Sequence, residues 1–234
     1  VRVAIGLLMA NGFAMYPPFV MGWTRMLQGL LTGALNAPGG PQVTEVNVVY
    51  GQDFPIDHAR NRMLRLILDD DPRSEWVLLL DVDMSHPPDT LHRLLAHGKD
   101  VVTGRYTMRK PPFFSVAMRK TGDGPTDYQA IEKVEPDVTG LLPIDAAGAG
   151  CLLVSRRALL RIRDLIGDDW FRYQDGPDGK RSRSEDMWFF EAAREAGFQP
   201  YLDADLWCGH IASFVVDPKY HEPYAEAFKQ AVPA

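Results

Sequence analysis

The sequence holds only two cysteines, Cys151 and Cys208, among 234 residues. Neither their number nor their spacing gives a disulfide framework or a cysteine-only zinc site. Both read as free, buried side chains, the common fate of an unpaired cysteine, which suits a reducing cytoplasmic setting. Long apolar runs are also missing. None approaches the roughly 20 residues of a membrane-spanning helix, so no transmembrane segment is expected. The opening VRVAIGLLMA carries one basic residue and no A-x-A-like cleavage site, and Asn-Gly follows at once, so it reads as a strand ending in a turn. There is no excess of basic charge: the net charge of −6 opposes a large phosphate-backbone footprint. Arg105, Arg109, Lys110, Arg119 and Lys120 nevertheless offer a local basic patch. Internal repeats and low-complexity segments are absent. With 46% hydrophobic and 24% charged residues the composition is that of a globular protein. A chain of this length buries roughly 70% of its unfolded surface and needs no covalent staples.

The first half alternates between two periodicities. Short apolar runs at Val3–Met9, Glu45–Tyr50, Trp76–Leu80 and Val101–Tyr106 read as strands. Between them, helices are expected over Pro18–Leu35, Asp57–Asp70 and Pro88–His97; in the second, Ala59, Met63, Leu66 and Ile67 share one face. Strand–helix alternation implies parallel strands with right-handed crossovers, an α/β sheet. The second half predicts a strand over Phe113–Arg119, a weak one over Ala130–Val134, and a glycine-rich entry, Gly148 to Gly150, into another. Helices over Arg156–Ile166 and Met187–Ala196 and a last strand over Pro200–Trp207 follow. The charged loop from Tyr173 to Arg183 is a candidate lid or an ordinary solvent loop.

Five segments carry chemistry. In an open parallel sheet, ligands bind outside the carboxyl ends of the strands. There the first strand runs into LMANG, the second leads to a helix whose first turn carries Asp57, Arg60 and Asn61, and the third ends in Asp81-Val82-Asp83. If the strand continues, Asp81 and Asp83 share a side. Two such carboxylates repel unless a cation lies between them, and oxygen donors suit Mg²⁺ or Mn²⁺. Against this stands a plain strand-ending turn. Asp186 extends the apolar face of its helix, where partial desolvation makes a carboxylate a candidate base. The plainer alternative is an acidic first turn with Ser182 and Glu185 as a capping box. His210 follows the last strand. An imidazole would favour Mn²⁺ over Mg²⁺, although an isolated histidine is more often structural. No further Cys or His has the spacing to turn Cys208 and His210 into a zinc site.

In this order the segments resemble the nucleotide-sugar-dependent glycosyltransferases of the GT-A fold, near the family 2-like group. The matching pieces are the strand-loop Val3–Gly12, Ala59-Arg60-Asn61, the DxD motif at Asp81-Val82-Asp83 with PPDTL after it, AGAGCLLVSRRAL, Ser184-Glu185-Asp186, and His210 in GHIA. The resemblance implies a Rossmann-like, mainly parallel central sheet flanked by helices, with a smaller acceptor-side sheet. It implies one domain over 1–234: a nucleotide-sugar-binding half at 1–110, an acceptor and catalytic half at 111–216, and a tail at 217–234. It implies a hexosyl- or pentosyltransferase taking a nucleoside-diphosphate sugar, UDP foremost. Mn²⁺ or Mg²⁺ would be held by Asp81, Asp83 and His210. Asn11, Asp57, Arg60, Asn61, Asp81 and Val82 would hold the donor, and Gly148, Ala149 and Gly150 would border sugar and acceptor. Trp188 would stack on a sugar or pack in the core. Asp186, with Glu185 beside it, would be the base of an inverting enzyme; a retaining enzyme needs no such base. The acceptor stays open among glycan, lipid, protein, small molecule and modified nucleic acid.

Rival readings fit less well. Haloacid dehalogenase-type phosphohydrolases also end a strand in DxD, but the motif opens their chain and a Thr or Val follows; here Ser85 and His86 follow. A dinucleotide fold needs G-x-G-x-x-G before a helix, whereas Leu153 occupies the third position and the turn enters a strand. Nucleotidyltransferases carry an early glycine-rich basic loop that is missing here. A non-catalytic sugar-nucleotide-binding scaffold would have no reason to keep Asp83, Asp186 and His210 together.

Overall fold

The computed structural model describes residues 1–9, 15–35, 40–52, 55–124, 127–134, 137–176, 179 and 181–212. Asn11 and the tail at 217–234 lie outside them. Along the chain run β1 (Arg2–Leu8), α1 (Pro17–Thr32), β2 (Glu45–Gly51), α2 (Ile56–Asp70), β3 (Trp76–Asp81), β4 (Met84–Ser85), α3 (Thr90–Ala96) and β5 (Val101–Arg105). There follow β6 (Met118–Lys120), β7 (Tyr128–Ala130), α4 (Ile131–Val134), β8 (Leu141–Pro143), β9 (Cys151–Ser155), α5 (Arg156–Ile166), β10 (Gln174–Asp175), β11 (Arg181–Arg183), α6 (Glu185–Glu195), β12 (Pro200–Trp207) and β13 (Gly209–His210).

The central sheet has seven strands in the order β2-β1-β3-β9-β5-β12-β8. β1 lies parallel between β2 and β3, and β5 runs parallel to β12. β9 is antiparallel to both its neighbours and β8 is antiparallel to β12, so five strands share one direction. Side chains alternate faces along each strand, and the apolar runs therefore feed two cores. Val77 and Leu79 join Met63, Ile67, Leu159 and Phe190 on the face covered by α2, α5 and α6. Leu78 and Leu80 join Phe19, Met26, Leu91 and Leu94 on the face covered by α1 and α3. This two-sided cover is why the central strands read as unbroken apolar runs rather than alternating ones.

Helix ends follow local chemistry. Pro17 and Pro18 open α1, and Gly33, at φ 66°, closes it. Ser155 caps α5 by accepting from the Ala158 N–H at 3.2 Å. No helix among the described residues is long and apolar enough to cross a membrane.

Three expectations are corrected. The strand expected over Phe113–Arg119 is an irregular hairpin arm: Val116 N–H donates to Tyr106 O (3.1 Å) and Met108 N–H to Phe114 O (2.9 Å) before β6 begins. Pro111 and Pro112 occupy its tip and cannot donate to a ladder. The weak strand near Ala130 gives way to α4 at Ile131, whose side chain is fully buried. The charged loop after Tyr173 contains the antiparallel pair β10–β11, joined by Ser182 Oγ donating to Gln174 O (3.2 Å) and tied to α6 by the Arg183–Glu191 ion pair.

Register positions the site. Leu8 pairs with Gly51 on one side and Asp81 on the other, so β1, β2 and β3 end level. β9 enters beside that rim, with Cys151 opposite Leu80 and Asp81 N–H donating to Gly150 O at 3.0 Å. After β12 the chain returns over the same rim. His210 pairs with Met84 in the β13–β4 ribbon, and Ile211 N–H donates to Asp83 O at 2.9 Å.

Candidate active site

A cleft of about 440 Å³ lies above this rim. Its wall includes Arg60, Asp81, Val82, Asp83, Tyr106, Arg109, Gly148, Glu185, Asp186 and His210. Four carboxylates thus face two guanidinium groups and an imidazole.

At the back sits Arg60, 2% exposed, from the second turn of α2. Its Nη2 donates to Asp81 Oδ1 (3.2 Å) and Oδ2 (3.1 Å), and its Nη1 to Glu185 Oε1 (3.1 Å) and to Asp186 Oδ1. Its guanidinium lies 5.1 Å from the Phe171 ring centroid. Burial alone would weaken its hold on the proton, but Asp186, Asp81 and Glu185 more than offset this and hold it above its ordinary value. Asn61 does not reach the cleft. Its amide donates to Phe171 O (2.7 Å) and accepts from Phe171 N–H (2.9 Å), pinning the loop that supports the Arg60 cradle. Asp57 is buried outside the cleft wall, and its Oδ1 finds no hydrogen-bond partner among the described residues.

Asp186 stands in the first turn of α6. The cap is Ser184, whose Oγ accepts from Met187 N–H at 3.3 Å. That corrects the Ser182–Glu185 capping box by two positions: Ser182 belongs to β11, and Glu185 turns inward to Arg60. Burial pushes the Asp186 carboxyl up to about 7, with Glu185 and Asp81 adding to the rise and Arg60 and the Ala149 N–H opposing it. Part of the group still opens to the cleft, its side chain being 21% exposed.

β3 ends at Asp81, so Asp83 reaches the cleft from a turn rather than by strand alternation. Arg109 Nη1 lies 2.9 Å from Asp83 Oδ2. Burial and Asp81 raise the Asp83 proton affinity; Arg109 and His210 lower it. His210 Nδ1 lies 2.8 Å from Thr107 O. A carbonyl only accepts, so Nδ1 carries the hydrogen and, in the neutral ring, Nε2 presents a lone pair. That Nε2 faces Asp83 Oδ2 at 3.9 Å, too far for a hydrogen bond. When the ring is neutral its lone pair opposes the carboxylate, an arrangement that a cation between them relieves. By donor type Asp83 and His210 suit Mn²⁺, and the Thr107 carbonyl is placed to orient the imidazole; Asp81 has both oxygens on Arg60 Nη2, and the three residues do not close to within 4.8 Å of one another.

Tyr106, Arg109 and the Arg60 cradle went unrecognised as site features in the sequence. The Tyr106 hydroxyl accepts from Gly150 N–H at 3.0 Å, and its ring meets His210 edge-on at 5.5 Å. A Cβ on Gly150 would lie 2.5 Å from Met84 Sδ, 3.0 Å from Asp81 Oδ2 and 3.1 Å from Tyr106 Oη. The glycine-rich turn therefore packs Tyr106 against Asp81, and Ala149 is fully buried behind it. Gly150→Ala is expected to weaken divalent-cation binding by displacing Asp81, an effect readable by titration calorimetry against wild type. Trp188 stands outside the cleft wall, its indole N–H donating to Asp169 O at 2.9 Å with Arg172 over the ring. Arg105 does not extend a basic patch: it pairs with Glu132 at 2.9 Å and covers the Trp207 ring at 4.2 Å.

No protein-family model matches the chain, and no curated protein matches it by sequence. Solved structures do. GalNAc-T7 with UDP, GalNAc and Mn²⁺ superposes with a TM-score of 0.55 at 10% identity, over 97% of this chain and 48% of that one. The fold is GT-A-like. A197 from STIV superposes with a TM-score of 0.50 at 14% identity, over 94% of this chain and all of its own length. The chain thus spans about half of GalNAc-T7 and the whole of A197.

Proposed function

We propose that the protein is a glycosyltransferase that moves a sugar from a nucleoside-diphosphate sugar, UDP foremost, to an acceptor hydroxyl with inversion. The observation that carries this reading is the meeting of His210 Nε2 and Asp83 Oδ2 at 3.9 Å on the rim that also holds Asp81 and Asp186. The GT-A-like fold and the Mn²⁺ and UDP of the GalNAc-T7 structure support it. Asp81, Asp83 and His210 would hold Mn²⁺ or Mg²⁺, which supplies a Lewis acid for the charge developing on the diphosphate.

The chain's own groups do the rest. Arg60 holds Asp81 and Asp186 at fixed separation. Arg109, 47% exposed beside Asp83, is free to reorient toward a phosphate once the carboxylate has another partner. Asp186, poised near neutrality, takes the proton from the acceptor hydroxyl as that oxygen attacks the anomeric carbon. Met118, Tyr173 and Met187, which line another part of the wall, would face the acceptor.

The test is turnover of UDP-, GDP- and CMP-sugars with Mn²⁺. Release of nucleoside diphosphate is expected; release of inorganic phosphate, or no turnover of any donor, would refute the reading. Asp186→Asn should lower kcat by about 10²–10⁴-fold while donor affinity holds. Because the Asp186 carboxyl is raised to about 7 by burial, its basic form accumulates as pH rises through neutrality. Wild-type kcat/KM should therefore climb over that window, and the residual rate of the asparagine variant should not. An unchanged rate in the variant would favour a retaining reaction.

A further inference from the structure

Behind the rim lies a second group of metal-ligating side chains that the carboxylate site does not use. His86, Cys151 and Cys208 are all buried, and one ligand atom from each lies within 4.8 Å of the others. Three separate segments bring them together: the stretch after β4, the first residue of β9, and the link between β12 and β13. Both cysteines are free. The imidazole is 3% exposed, and its ring nitrogens meet no oxygen or nitrogen partner among the described residues; the Cys151 thiol, itself beside Cys208, is the polar group within its reach. Its ring contact is with Phe19, edge-on at 6.1 Å. A buried imidazole left with only weakly hydrogen-bonding thiols as partners calls for an explanation.

The group lies close beneath the surface. A surface cavity of about 360 Å³, walled by Pro18, Met21, Ser85, Pro87 and Trp207, has His86 in its lining. Two sulfurs and an imidazole form a soft donor set, suited to Zn²⁺ and poorly suited to Mg²⁺ or Mn²⁺. Tetrahedral Zn²⁺ with bonds of about 2.3 Å to sulfur and about 2.0 Å to nitrogen separates its sulfur ligands by about 3.8 Å. The cluster needs to contract by about an ångström at most to meet that spacing.

We propose that His86, Cys151 and Cys208 form a thiophilic cation site for Zn²⁺, separate from the Asp81–Asp83–His210 site. Each thiol gives up its proton to solvent on binding, and the neutral imidazole donates a nitrogen lone pair. A water completes the fourth position. Bound Zn²⁺ would tie the segment after β4 to the link before β13, the two segments whose pairing sets Asp83 beside His210. The site stands independently of the glycosyl-transfer reading.

The full chain, reduced and stripped with chelator, is titrated with Co²⁺. Expected is a sulfur-to-cobalt charge-transfer absorption that saturates at one equivalent and is displaced by Zn²⁺. Asp83→Ala should retain it, which separates this site from the carboxylate one, and Cys208→Ala and His86→Gln should lose or weaken it. Should those variants fail to fold, the wild type alone still decides: Zn²⁺, but not Mn²⁺, should slow maleimide labelling of both thiols by more than an order of magnitude. Absence of the charge-transfer band together with absence of Zn²⁺ protection overturns the proposal. So does formation of a Cys151–Cys208 disulfide in air by a protein that takes up no Co²⁺ when reduced.

Discussion

Asp83→Ala is expected to abolish Mn²⁺-dependent binding of nucleotide sugar while leaving the fold intact. Disturbing an outer contact of a metal site costs about 10–100-fold in affinity, so loss of a direct ligand should cost at least about 100-fold. The fold is spared because Asp83 is held at some cost. Its proton affinity is raised, chiefly by burial and then by Asp81. The folded protein therefore binds that proton more tightly than the unfolded chain. Stability from this group is present in acid, below the ordinary carboxylate value, and is lost as pH rises through the folded value. At neutral pH the alanine variant should melt no lower than the metal-free wild type. Any advantage it shows should shrink on acidification. Thermal shifts with and without Mn²⁺ and donor measure both effects.

Arg60→Met should be the most destabilising single change at the site. The substitution keeps most of the side-chain volume but strips the shared cation from Asp81, Glu185 and Asp186. Breaking a buried ion pair by removing one partner costs about 3–5 kcal/mol. For a chain of this size that lowers Tm by roughly 6–20 °C. Urea denaturation should show a lower midpoint at an unchanged slope. Acid should recover part of the loss, since the stranded carboxylates then take up protons. Arg60→Lys should recover less than full stability, because a point charge cannot serve both arms of the fork. A methionine variant as stable as wild type would show that the cradle contributes nothing to the fold.

The α/β frame was legible because its signals are local. Strand and helix periods at Val77–Leu80 and at Ala59, Met63 and Ile67 mark which faces are buried, and those faces are the ones that pack. The direction of β9 was not legible. Four apolar residues and a serine carry no mark of orientation, and the insertion of β9 between β3 and β5 is set by contacts far away in sequence. At the site, Asp81, Asp83, Asp186, Glu185 and His210 stood out by residue type and position, and the fold gathers them around one cleft. Arg60 was legible as a site residue but not as the hub of three carboxylates, because that needs the distance between α2 and α6. Asn61 was expected at the donor and is engaged with Phe171 instead. Tyr106 looked like an ordinary strand end; only the glycines at 148 and 150 packing on its hydroxyl reveal it. Cys151 and Cys208 read as inert for the same reason: nothing local places His86 between them.

Electron spin-echo spectroscopy of Mn²⁺ bound to the protein with UDP reads the imidazole of residue 210 at the cation. Modulation from a directly coordinated histidine nitrogen is expected in the wild type, lost in His210→Ala and, with the ion itself, in Asp83→Ala. Mn²⁺ that stays free in the presence of UDP, or binds with no nitrogen coupling, would contradict a cation shared by Asp83 and His210.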